Sequence, residues 1–454
     1  MHSLAIRHEG KSGLRFTVQR LGALFRSAKT VELADPMVRR LGETQLAFGS
    51  ELAWYLELYL DYPFGPNVAR AERVLAALRA WGEEAFAALF GAGQARDFYR
   101  DATRDGYNRL QLLIVSDTPA VLAWPWEALF DPQIGDLAHH CRIERSLDRI
   151  DTPPALPENL RRDRIGILLV TARPYDRDVA YRSISRPLIN LIAERDLPAD
   201  VKLLRPPTFK RLQQELRDNP GAYHIVHFDG HGGFGAVATG NDRFKGPQGR
   251  LVFENADGAP DEITGEQLSQ LLREHRVPIA VLNACQSAMI DSGAEDAFAS
   301  IAASLLRAGV RSVVAMGYSL YVSAAREFLP AFYERLFATG NVAEAVRVGR
   351  QALLAQPERR PGFGLADWLV PVLYQQDPLA LDFANQASRA AKAQAPAVGE
   401  DARLGRTEHP YGLIGRDSAV LALERASHRP PAGLLVHGLG GVGKTTLARG
   451  YTIR

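Results

Sequence analysis

The chain is short of cysteine, of long apolar runs and of net charge, and each shortage closes off a class of protein. Two cysteines, Cys141 and Cys285, stand in 454 residues, too few for a disulfide framework, and without an amino-terminal signal sequence the expected setting is the reducing cytoplasm. The Ala138-His139-His140-Cys141 context is the one place that invites a metal. With neither a CxxC pair nor HExxH in the sequence, no metal is expected. No apolar run approaches the roughly 18 residues of a membrane span, since Leu52 to Leu60 is broken by Glu57 and flanked by Glu51 and Asp61. The net charge is only +2, so nothing draws the chain to nucleic acid or to a membrane surface. Local clusters such as Arg161, Arg162 and Arg164 read as solvated faces. Internal repeats and heptad runs are absent as well.

What is present is the balance of a soluble globular protein, 46% hydrophobic and 23% charged, at a length that calls for two to four domains. Residues 1–13, polar with Gly10 and Gly13, are expected to be disordered. A smaller subdomain follows over 14–150, with short strands at 14–18 and 30–33, a third apolar element at 54–59, a helix over 69–90 and a strand at 110–115. Trp124-Pro-Trp-Glu-Ala-Leu-Phe130 reads as an aromatic knot of the core. Three prolines, Pro153, Pro154 and Pro157, between Asp151 and Glu158 mark a joint.

From 151 to 384 strands and helices alternate. Strands are predicted at 165–170, 201–204, 223–228, 250–253, 279–283 and 312–316, and helices at 185–194, 209–217, 264–275, 296–307, 324–337 and 342–355. A glycine-rich excursion fills 232–249, and a last apolar run covers 368–374. That rhythm predicts an α/β fold, a mostly parallel sheet with helices on both faces. Residues 385–409 read as a linker, and 410–454 as the start of another domain.

Two apolar runs end in reactive side chains: His224-Ile-Val-His-Phe-Asp-Gly-His231-Gly232 and Ile279-Ala-Val-Leu-Asn-Ala-Cys285. Neighbouring parallel strands would deliver His231 and Cys285 to one carboxyl edge, where open α/β sheets build their sites. An imidazole beside a thiol makes thiolate available near neutral pH. Gly232 and the Cys285 amide are the candidate N–H donors to a developing oxyanion. The competing reading is a buried structural cysteine and a turn histidine. His224 and His227 fall within the strand and are weaker candidates.

The segments Phe228-Asp-Gly-His-Gly232 and Leu282-Asn-Ala-Cys-Gln-Ser-Ala288 resemble the CHAT domain, a branch of the caspase-like cysteine peptidases that includes separase. The likeness extends to Trp124-Pro-Trp-Glu-Ala-Leu-Phe-Asp-Pro132, to Phe332-Tyr-Glu-Arg-Leu-Phe-Ala-Thr-Gly340 and to Ala343-Glu-Ala-Val-Arg347, so it covers residues 14–380. It implies a caspase-like endopeptidase, with His231 the base and Cys285 the nucleophile, preceded by a degenerate caspase-like subdomain. No cofactor is implied for the protease. By the same resemblance, Asn283 and the loop 318–323, with Tyr321, shape the pocket for the residue before the cut, and Asp229 is a further candidate there. Arg-selective relatives place an acidic residue in that loop and this chain has none, so an uncharged residue is expected before the cut.

Near the carboxyl end Gly433-Leu-Leu-Val-His437 reads as a strand running into Gly438-Leu-Gly-Gly-Val-Gly-Lys-Thr445, which fits GxxxxGK[ST]. Gly438, Gly440, Gly441 and Gly443 let consecutive amides curl around phosphates. Lys444 would reach the β and γ oxygens, and Thr445, followed by Thr446 at the start of a helix, would hold Mg²⁺ beside ATP. With Tyr411-Gly-Leu-Ile-Gly-Arg416 ahead of it, the motif resembles the NB-ARC branch of STAND NTPases. Only nine residues (454 − 445) follow Thr445, so the NTPase is expected to be truncated and residues 405–454 poorly ordered or only partly structured. The two resemblances together imply an effector of bacterial antiphage defence. It would self-oligomerise through the intact NTPase and cut a protein substrate such as a bacterial gasdermin. The alternative is a non-catalytic caspase-like scaffold.

Overall fold

The computed structural model describes residues 2–10, 14–22, 26–42, 45–148, 152–162, 164–175, 178, 188–189, 191–192, 195, 197–235, 248–285, 294–377, 416–427 and 434–452. Among them one sheet of 14 strands runs through the protein. Its strands are β1 (His2–Glu9), β2 (Arg15–Leu21), β3 (Arg26–Ser27), β4 (Val31–Glu32), β5 (Leu110–Val115), β6 (Arg142–Ser146) and β7 (Ile165–Thr171). The remainder are β8 (Ala199–Leu203), β9 (Ile225–Gly235), β10 (Gln248–Glu254), β11 (Pro260–Thr264), β12 (Ile279–Cys285), β13 (Ser312–Met316) and β14 (Pro371–Gln375).

Their order is β8-β7-β9-β12-β13-β14-β6-β5-β1-β2-β3, with β10 on β9 and β11, and β4 on β2. From β8 to β13 the pairing is parallel, and it is parallel again from β14 through β6 and β5 to β1. The antiparallel pair β13–β14 joins the two parallel halves. The predicted α/β sheet is therefore present, and what the sequence divides into two subdomains shares one continuous sheet.

Wholly buried strands read as unbroken apolar runs because both faces are covered. Ile165-Gly-Ile-Leu-Leu-Val-Thr171 and Ser312-Val-Val-Ala-Met316 are of this kind, buried at every position. The sheet is flanked by α1 (Phe48–Glu57), α2 (Pro66–Phe90), α3 (Gly93–Thr103), α4 (Phe209–Asp218), α5 (Gly265–Glu274), α6 (Ala294–Arg307), α7 (Val322–Thr339) and α8 (Val342–Ala355). Helix α5 starts on a capping box, Thr264 with Gln267. The aromatic knot is core as expected: Trp124 and Trp126 stack at 5.5 Å and pack on Phe16 and Trp81. Beside it Glu127 bridges Arg145 and Arg350 at 2.6 and 2.7 Å, tying β6 to α8. Burial pushes the Glu127 carboxyl up, but the two guanidiniums outweigh it and hold the group below the ordinary range.

A polar ladder crosses the junction of the two halves. Ser3 donates to Gln111 at 2.7 Å, Gln111 to Glu144 at 2.8 Å, Gln375 to the other Glu144 oxygen at 2.9 Å, and Ser312 to Gln375 at 3.0 Å. These residues sit on β1, β5, β6, β14 and β13, five consecutive strands. Burial drives the Glu144 carboxyl up to about 7 against the opposing pull of its partners.

Three expectations are corrected. Residues 2–9 are not disordered: they form β1, paired in parallel with β5 and antiparallel with β2, because Leu4, Ala5 and Ile6 bury themselves in the middle of the sheet. The apolar element at 54–59 is the end of helix α1 and a following 3₁₀ turn, since Phe48, Leu52, Tyr55 and Leu56 recur at helical spacing on its buried side. Residues 434–437 do not form a strand: Leu435 is 86% exposed, and no strand among the described residues pairs with the segment. Helices α9 (Asp417–Ser427) and α10 (Lys444–Thr452) are formed. Most of the predicted helix at 185–194, the linker 385–409 and residues 410–415 lie outside the described residues.

Candidate active site

Strand β9 is longer than its apolar run. It pairs in parallel with β12 as far as His231 opposite Cys285, and then continues to Gly235 against β10. On its other side β7 pairs as far as Thr171 opposite Asp229, and β10 takes over from His231 onward. His231 therefore stands where the sheet changes partners, with Cys285 on one side and Val252 on the other. Neighbouring strands lie about 4.8 Å apart, so the backbones bring the two sequence-predicted residues into adjacent positions. The Cys285 side chain and residues 286–293 lie outside the described residues.

The His231 imidazole is fixed from behind. Its Nε2 lies 2.8 Å from Asp178 Oδ1, with both side chains under 8% exposed, and the Tyr175 ring meets it edge-on at 4.9 Å. A carboxylate only accepts hydrogen bonds, so Nε2 is assigned the proton and Nδ1 the lone pair. Nδ1 is buried and has no hydrogen-bond partner among the described residues.

Two residues back along each strand, alternation returns to the same face, and there Asp229 pairs with Asn283. Asp229 accepts from Asn283 at 3.1 Å and from Arg173 at 2.6 Å, and is 3% exposed. Burial pushes its carboxyl up, against the opposing charge of Arg173. Arg173 also lies 3.9 Å from Asp178, donates its N–H to Glu254 at 2.8 Å and bonds the carbonyls of Ala172 and Asp229. The two residues proposed from sequence for a substrate pocket thus form a rung directly below the dyad positions. Gly230, between rung and dyad, admits no side chain: a Cβ there would stand 2.8 Å from the Phe228 ring.

Tyr321, the remaining pocket candidate, donates its hydroxyl to the Glu57 carbonyl at 3.0 Å, and the Ser319 amide donates to the Glu57 carboxylate at 2.8 Å. The loop after β13 is therefore tied to the end of α1. Gly232 is buried in β9 opposite Leu251. His224 accepts the Gly166 amide at 3.1 Å, and His227 meets the Tyr333 hydroxyl at 2.9 Å with burial lowering its pKa to about 3. Cys141 is fully buried, which raises its thiol to about 12. His227 lies on the same face of β9 as Asp229 and His231, four residues before His231, and is taken up by Tyr333.

Sequence reading missed Asp178, Arg173 and Glu254. Asp178 lies 53 residues before His231, and no spacing rule connects them. Arg173 leaves a trace, a lone charge two residues beyond a wholly apolar strand.

In the carboxyl segment Gly441 and Gly443 take positive φ, 77° and 84°, and Lys444 opens α10. Its ammonium folds back onto the carbonyls of Gly438 and Leu439 at 2.9 and 2.8 Å. Arg416, just before α9, donates to the Val442 carbonyl at 2.6 Å.

The class defined by this fold and site is given by the family comparison: the CHAT domain family matches residues 80–410. The chain belongs to the CHAT domain family. Among solved structures it is similar to the Arg-specific cysteine proteinase gingipain R, at 14% identity over 64% of this chain and 68% of that one, TM-score 0.38. It is also similar to the complex of Porphyromonas gingivalis RgpB pro- and mature domains, at 12% identity over 68% and 70%, TM-score 0.38. The Saccharomyces cerevisiae separase–securin complex matches at 13% identity over 59% of this chain and 15% of that one, TM-score 0.32. No curated protein matches the chain. Among the described residues no helix is long and apolar enough to cross a membrane.

Proposed function

We propose that the chain is a cysteine endopeptidase working through Cys285 and His231, with Asp178 holding the base. The observation that carries this reading is the register of His231 against Cys285, together with an imidazole anchored through Nε2 and with no partner at Nδ1 among the described residues. The Cys285 thiol gives its proton to Nδ1, and the thiolate attacks the carbonyl carbon of a peptide bond. The oxyanion that forms takes hydrogen bonds from the Cys285 and Gly232 amides. The imidazolium then protonates the leaving amine, and water, deprotonated by the same nitrogen, hydrolyses the thioester. Asp178 stabilises the imidazolium while it exists.

The substrate class is a protein cut after an uncharged residue, since the loop 318–323 carries no acid. A cleavage map of a peptide library dominated by arginine before the cut would refute that preference. The family resemblance supports a place in antiphage defence with a protein target such as a gasdermin. Incubating the protein with such a target, beside Cys285→Ala, tests it: cleavage by wild type alone is the expected result.

The glycine loop 438–445 is read as a phosphate site. Gly441 and Gly443 supply the left-handed backbone such a loop needs, while Lys444, Thr445 and Thr446 at the start of α10 would hold the phosphates and Mg²⁺ of ATP. MgATP, if bound, supplies a conformational switch and no step of the peptide chemistry.

A further inference from the structure

Helix α9 sits against the end of β7, far in sequence from the dyad and next to what holds it. Arg425 donates to the Arg173 carbonyl at 2.5 Å and pairs with Glu254 at 3.2 Å, while Glu254 uses its other oxygen to accept the Arg173 N–H. The peptide groups on both sides of Arg173 are thus held by one Arg425–Glu254 pair. One residue earlier on the helix, Glu424 pairs with Arg205 at 2.7 Å, and Arg205 donates to the carbonyl of Thr171, the last residue of β7. The fit at Gly258 is close: φ is +79° and a Cβ would stand 2.9 Å from Arg425 Nε. These contacts fall where β10 replaces β7 beside β9, a point at which the ladder leaves backbone groups without strand partners.

We propose that α9 is a clamp on the catalytic base, with Arg425 and Glu424 as positioning residues that act on His231 through Arg173 and Asp178. The inference rests on the peptidase reading above. The path is short: Arg425 and Glu424 fix residues 171–173, the Arg173 side chain holds Asp229 and lies 3.9 Å from Asp178, and Asp178 holds His231 Nε2 at 2.8 Å. With the clamp undone, Arg173 gains freedom, Asp178 no longer fixes the imidazole, and Cys285 loses the nitrogen that makes it a thiolate at neutral pH. Phosphate-loop chemistry is not needed for this, although Arg416 connects the same helix to that loop.

The test is the rate of Cys285 alkylation by iodoacetamide across pH 5 to 9, read by peptide mass mapping, in wild type, Arg425→Ala, Arg425→Lys and Cys285→Ala. Thermal unfolding is recorded alongside. The expected result for Arg425→Ala is about a tenfold slower reaction at pH 7, from the loss of its charge-assisted contacts to the Arg173 carbonyl and Glu254. Its profile should move toward that of a free thiol, near pH 8.5, with partial rescue by lysine and an unchanged melting temperature. A profile superimposable on wild type overturns the clamp and leaves the peptidase reading standing. Wild-type Cys285 that reacts only as a free thiol does overturns both. Should Arg425→Ala melt early, Glu424→Gln decides: a shifted profile upholds the clamp and an unshifted one overturns it.

Discussion

Replacing Asp178 by asparagine removes a charge and almost no volume. The Tyr175 amide donates to Asp178 Oδ2 at 3.4 Å, so an asparagine keeps its amide oxygen there and turns its NH₂ toward His231. That NH₂ donates to Nε2, which must then carry the lone pair, and the ring proton moves to Nδ1, the atom needed as base. Both ends of the bond are buried, with 7% and 6% of the side chains exposed, so solvent does not restore it. A charge-assisted hydrogen bond of this kind is worth about 1.5 to 3 kcal/mol, and the wrong tautomer adds to its loss. At about 2 to 3 kcal/mol the expected fall in kcat is roughly 30- to 150-fold, with KM nearly unchanged and the fold intact by circular dichroism. The assay is peptide hydrolysis as a function of pH. An Asp178→Asn enzyme within twofold of wild type and with the same profile would refute the assigned tautomer.

Glu144 gives a pH signature of the sheet junction. Its carboxyl titrates near 7 when folded and near 4.5 otherwise, so the unfolded chain ionises first and stability falls as pH rises from 4.5 to 7. The 2.5-unit difference is worth about 3 kcal/mol at this 2%-exposed site. Denaturant titrations of Glu144→Gln should show a flatter pH dependence than wild type across that window, and parallel curves would count against the ladder. Gly230→Ala should cost about 1 to 3 kcal/mol and lower activity beyond that loss, because the new methyl meets the Phe228 ring at 2.8 Å and displaces the neighbouring His231. A melting temperature equal to wild type would show that the site has more room than its backbone indicates.

The sequence made the catalytic half legible because its strands are buried on both faces and its helices are amphipathic. Runs such as Ile279–Cys285 and Ser312–Met316 have no other reading, and residues 342–355 form the helix their spacing predicts. The amino-terminal half was harder. His2–Glu9 carries His2, Ser3, Arg7, His8 and Glu9 among its apolar residues, and its place in the sheet depends on β2 and β5, the second more than 100 residues away. Trp54–Tyr59 is apolar enough for a strand and is claimed by a helix whose period starts at Phe48. The adjacent register of His231 and Cys285 was visible as two strand ends. Its support was not, since Arg173 with Asp178, Glu254 and Arg425 come from three separate stretches that meet at the handover from β7 to β10.

The most direct test of the account is labelling of the protein by a peptide-based electrophile that captures active cysteine peptidases, in wild type, Cys285→Ala and His231→Ala. Cys141, buried with its thiol raised to about 12, supplies no background. The account predicts a single label on Cys285 in wild type, none in Cys285→Ala and at least tenfold slower labelling in His231→Ala, in line with the contribution of a general base. Equal labelling of wild type and Cys285→Ala would contradict it and leave the chain a scaffold.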